Sequence, residues 1–92
     1  MGRDMSINRV PYQDDILRCL ASMGSAAVSQ ISEAIAAEGR HTAEGHDSAQ
    51  LHNMVAENLD HLVHLGLTEY TGSGDRESRL TARGNEAAAS LP

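Results

Sequence analysis

Residues 59–84 read LDHLVHLGLTEYTGSGDRESRLTARG, and this stretch decides the fold. Leu59, Leu62 and Leu65 recur at helical spacing up to Gly66, where a residue without Cβ enters a left-handed helix cap at least cost. Leu67-Thr68-Glu69-Tyr70 then alternates as a half-buried strand does. TGSGD, residues 71–75, supplies residues that tolerate positive φ, and Ser78-Arg79-Leu80-Thr81 is short enough to pair back as the second strand of a hairpin. Thr81 closes that strand and caps one more helix. The order is helix, strand, turn, strand, helix, with nothing catalytic in it.

Upstream lies the clearest periodicity of the chain. Asp47 followed by Gln50 forms a capping box, and steps of about 100° per residue put Leu51, Val55, Leu59 and Leu62 on one face, with Met54 and Leu65 at its edge. Ala49, Asn53, Ala56, Glu57, Asp60 and His64 then point to solvent. Asn58 falls on the apolar side, as a partly buried amide bonded to neighbouring backbone. Before this third helix, GRHTAEGH (residues 39–46) is too polar to bury and longer than a minimal turn. Ser29 is the expected N-cap of a short second helix through Ile31, Ala34 and Ile35 to Glu38, with Gly39 as its stop. Residues 25–28 suit a small first strand. A first helix follows Pro11, with Tyr12, Ile16, Cys19, Leu20 and Met23 as its apolar stripe and Asp14, Asp15, Arg18 and Ser22 opposite; Gly24 ends it. Asp14 and Arg18 read as a surface i,i+4 pair, and Asp14 and Asp15 as charges complementing the helix dipole. Residues 1–10 read as a flexible N-terminal segment and 11–92 as one domain.

Ninety-two residues allow a single small core, and with no Phe or Trp that core is aliphatic. Cys19 is alone, so it reads as a small hydrophobe in a reducing compartment. No apolar run is long enough to cross a bilayer, and MGRDMSINRV has no signal-peptide core, which points to a cytoplasmic protein. Five His invite a metal, and His61 and His64 offer half a site. No HExxH motif or paired Cys completes it, so solvated histidines and no metal are expected. TGSGD lacks the GK[ST] ending of a phosphate loop, and no nucleophile–base pair or cofactor fingerprint stands out, so neither an enzyme nor a cofactor is expected.

The phrases VSQISEAIAAEG, LDHLVHLGLTEY and SRLTARGNEAA occur in the order found in winged helix-turn-helix transcriptional regulators, and the chain resembles the MarR-like and PadR-like members of that family from residue 12 to 88. The resemblance implies a mainly α fold with a small β-hairpin, α1-(β1)-α2-α3-β2-wing-β3-α4. It also implies double-stranded DNA as partner, with the third helix in the major groove and the wing on the backbone or minor groove. Carried over residue by residue, the base readers are Ser48, Gln50, His52 and Asn53, amides being suited to bidentate contact with adenine. The wing contacts are Arg76 and Arg79, and Arg40 and His41 in the turn reach phosphates.

Charge departs from that pattern. Seven Arg, no Lys and thirteen acidic residues give −6, and protonating all five His would still leave −1. Affinity for DNA comes largely from Lys and Arg displacing counterions from phosphates, yet residues 47–66 contain neither. DNA binding on these terms needs a homodimer to be useful. The alternative expectation is an acidic winged-helix interaction module, an adaptor or phage-type inhibitor, that docks on a basic protein surface.

Overall fold

The computed structural model describes residues 12–39, 42, 45–72 and 76–91. The N-terminal segment 1–10, Pro11, Arg40 and His41, and Ser73, Gly74 and Asp75 of the hairpin turn lie outside the described residues.

Among those described there are four helices and three strands: α1 Gln13–Met23, β1 Ser25–Ala26, α2 Val28–Glu38, α3 Ser48–His64, β2 Thr68–Tyr70, β3 Ser78–Leu80 and α4 Ala82–Ala89. The chain is mainly helical with one small antiparallel sheet in the order β1-β3-β2. Central β3 pairs Thr68 with Leu80, Glu69 with Arg79 and Tyr70 with Ser78 on one side. On the other it pairs Ser25 with Arg79 and Ala26 with Ser78. A single aliphatic core, joined by Tyr12, holds the layers together.

The third helix forms as its sequence dictates. Asp47 accepts from the Gln50 backbone N–H at 2.8 Å, and the Gln50 side chain accepts from Asp47 N–H at 2.9 Å, which completes the capping box. Leu51, Val55, Leu59 and Leu62 are all buried, each worth about 1.5–3 kcal/mol of transfer free energy. Asn58 is buried among them and donates to the Met54 carbonyl at 2.7 Å. At the far end, Gly66 N–H donates to Val63 O and Leu67 N–H to Leu62 O, both at 3.0 Å, with Gly66 at φ +81. This crossed pair is the Schellman closure that a glycine permits.

That closure launches β2, and Thr81 locks the strands' base. Its N–H donates to Leu67 O at 3.0 Å, its hydroxyl donates to Gly66 O at 2.6 Å, and the same oxygen accepts the Gly84 N–H at 3.1 Å. Gly84 is not incidental: a Cβ there would stand 1.8 Å from the Leu67 carbonyl oxygen. Only a residue without a side chain lets α4 lie against the start of β2.

Two boundaries differ from expectation. The second helix starts at Val28 behind an Ala27 N-cap, two residues before Ser29. Ser25 and Ala26 are held in the sheet by β3, so Ala27 is the one linking residue, and Gln30 supplies half a capping box by accepting its N–H at 2.9 Å. In α1, Tyr12 is buried as expected but is the N-cap, with φ at +67, and Asp15, expected on the solvent side, is buried. The buried face is then Asp15, Ile16, Leu17 and Leu20, while Met23 falls to the edge and is 46% exposed. Arg18 lies 3.6 Å from buried Asp15, one position closer than the i,i+4 partner expected.

No helix among the described residues is long and apolar enough to cross a membrane.

Candidate nucleic-acid interface

The first turns of α3 are exposed, and they carry Ser48, Gln50, His52 and Asn53. The structure brings these four residues together on one end of one helix. Gln50 is partly committed: its Oε1 accepts the Asp47 N–H, so a bidentate amide contact to a base requires it to leave the capping box. Ser48 and His52 also line a groove of about 250 Å³ against Ser29 and Glu33 of α2. Arg40 and His41, expected between the two helices, are outside the described residues.

The β2–β3 hairpin rises beside the other half of the same helix. Arg76 and Arg79 are both exposed, at 50% and 61%, and both are paired with carboxylates of the chain itself. Arg79 Nε donates to Glu69 Oε2 at 2.7 Å, a direct cross-strand pair in the register of β2 on β3. Arg76 Nε lies 3.4 Å from Asp60 Oδ1 on α3, and the Tyr70 hydroxyl donates to that same oxygen. Arg83, at the start of α4, sits over Gly66, where its guanidinium would be 3.4 Å from an added Cβ. All of this positive charge belongs to the hairpin and its base.

These contacts tune the groups that make them. Burial pushes the Tyr70 phenol above its ordinary value, and the hydrogen bond to Asp60 adds to the effect, while the nearby Arg76 charge works against it. The Asp60 carboxylate holds the Arg76 guanidinium more firmly protonated than usual. Exposed pairs of this kind are screened by solvent and contribute little, so a competing anion can replace them. Cys19 is pushed up as well, first by burial and then by Glu38 and Asp15, which favours the thiol over the thiolate.

Two features escaped the sequence. His46 is not a solvated histidine: its Nδ1 is 2.6 Å from the Tyr12 hydroxyl, and the rings meet edge-on at 5.6 Å. Tyr12 thereby fastens the start of α1 to the residue just before the Asp47 cap. The second is Asp60 as a partner of the hairpin, sixteen residues before Arg76. The Glu69–Arg79 pair did have a signal, because a hairpin centred on Gly74 sets residues 69 and 79 opposite each other. Among the described residues no three His, Cys, Asp or Glu side chains converge as metal ligands do.

The chain matches no family model, no curated protein and no solved structure.

Proposed function

We propose that this chain is a small winged-helix DNA-binding protein, a cytoplasmic transcriptional regulator that works as a homodimer. The observation that carries the reading is the placement of an exposed, uncharged polar turn, Ser48 to Asn53, on the same helix that an arginine-bearing hairpin flanks. In this reading α3 reads base edges in the major groove, and the β2–β3 hairpin is the wing that holds phosphates. Among the described residues Arg18, Arg76 and Arg79 each already face a carboxylate, so a linked second copy supplies the remaining affinity.

A second reading is favoured by one specific observation: Glu57 and Asp60 are exposed on α3 of a chain whose net charge is −6. Here the same fold docks on a basic protein surface instead of on DNA.

One experiment separates them. A mixed-sequence duplex is titrated at several salt concentrations with the native protein, with R76A/R79A and with E57K/D60K. The DNA reading expects affinity that falls steeply with salt, about tenfold weaker binding for R76A/R79A with a slope reduced by about 1 to 2, and tighter binding for E57K/D60K. No duplex binding at low salt, together with salt-sensitive binding of polyarginine that E57K/D60K abolishes, would favour the second reading.

A further inference from the structure

Asp60 Oδ1 accepts from two groups at once, the Tyr70 hydroxyl on β2 and the Arg76 Nε beyond the turn. Arg76 has φ +52, a left-handed conformation that is uncommon for a residue other than glycine. Ser78, fully buried in β3, braces this backbone with a hydroxyl that donates to the Arg76 carbonyl at 2.9 Å. Tyr70 stands directly across from Ser78 in the sheet. Helix, strand and turn therefore meet at a single carboxylate oxygen.

A carboxylate and a phosphodiester offer a guanidinium the same thing, an anionic oxygen within hydrogen-bond reach. We propose that Asp60 is an internal stand-in for a DNA phosphate: it latches the wing to the C-terminal half of α3, and a phosphodiester engages Arg76 by displacing it and releasing Tyr70. This inference rests on the DNA-binding reading above and specifies how that site is regulated.

The physical consequence is an exchange in place of a net gain. Arg76 already has an anion, so a phosphate contact there replaces one pair by another and releases fewer counterions than a free arginine would. Indiscriminate binding to any duplex is thereby held down. Only a duplex that α3 also fits supplies the additional contacts that draw Asp60 off. Asp60, half exposed, is accessible enough for that exchange to occur without unfolding the hairpin.

The test compares the native protein with D60N, E57Q, R76A and D60N/R76A, using a mixed-sequence duplex over a range of salt and tyrosine emission in the absence of DNA. E57Q removes the same charge from the same exposed side of α3 one turn earlier. The chain has two tyrosines and no tryptophan, and the Tyr12 hydroxyl lies against His46 while that of Tyr70 lies against Asp60, so an emission change in D60N reports Tyr70. The expected result is that D60N binds about 3- to 5-fold tighter with a salt slope steeper by about 1, and with brighter emission because the phenol no longer donates to a carboxylate. E57Q should gain less than about twofold without a change in emission, and D60N should gain nothing in the R76A background. Equal gains for D60N and E57Q, or a D60N gain that survives R76A, would overturn the latch while leaving DNA binding in place. If neither the native protein nor D60N binds the duplex at low salt, the DNA-binding reading fails and the latch fails with it.

Discussion

The two halves of α3 solve different problems. The N-terminal half carries no charged side chain beyond its N-cap, Asp47, which caps the helix together with Gln50, while Ser48, His52 and Asn53 face outward. The C-terminal half is charged, and its exposed carboxylate Asp60 is tied to the hairpin through Tyr70 and Arg76. Hydrogen-bonding groups suited to reading bases lie on a helix that carries no Arg or Lys. On the hairpin, Arg76 and Arg79 are each already held by a carboxylate of the chain itself. In the proposed DNA-binding reading, readout and affinity are thus separated along one helix.

The comparison is broken most severely at the base of the hairpin. Gly84→Ala pushes a Cβ to 1.8 Å from a backbone carbonyl, a contact that only a shift of α4 or of Leu67 can relieve. A loss of about 2–4 kcal/mol is expected, read as the midpoint of urea or thermal unfolding. If the variant still folds, its hairpin should lose the Asp60–Tyr70 contact, which tyrosine emission reports, while the first turn of α3 stays intact. A variant as stable as the native protein would show that α4 is not seated on Leu67.

The opposite end is addressed by Asp47→Ala. It removes the acceptor for Gln50 N–H and should cost about 1 kcal/mol, a shift of roughly 4–8 °C in thermal midpoint for a domain of this size. Its effect on amide exchange should be confined to the start of α3 and spare the hairpin. Equal deprotection at both ends would mean that the helix behaves as one rigid unit and that the contrast between its halves has no energetic content.

What the sequence revealed follows the range of the interactions. The capping box of Asp47 and Gln50, the Gly66 closure and the Thr81 cap join residues a few positions apart, and each was legible from residue type and spacing. The buried face of α3 was legible because four aliphatic residues at a 3.6-residue period leave little choice. The start of α2 was misread because Ser29 is a better cap than Ala27 on its own terms. Strand pairing of Ser25 and Ala26 with β3 overrode that local preference. The charge state of the candidate interface was the least legible. Arg76 looks like a free wing cation until the hairpin folds back and sets it beside Asp60, and Tyr12 looks like one more apolar helix residue until His46 is brought to its hydroxyl.

The most direct measurement is a map of backbone amide chemical-shift changes when isotopically labelled protein is titrated with a mixed-sequence duplex at low salt. Changes concentrated at residues 48–53 and 76–79, with Asp60 and Tyr70 moving together as the latch opens, are the expected result. Changes centred on α1 or on the far side of α4, or a spectrum that DNA leaves untouched, would contradict the assignment of α3 and its flanking hairpin as a nucleic-acid surface.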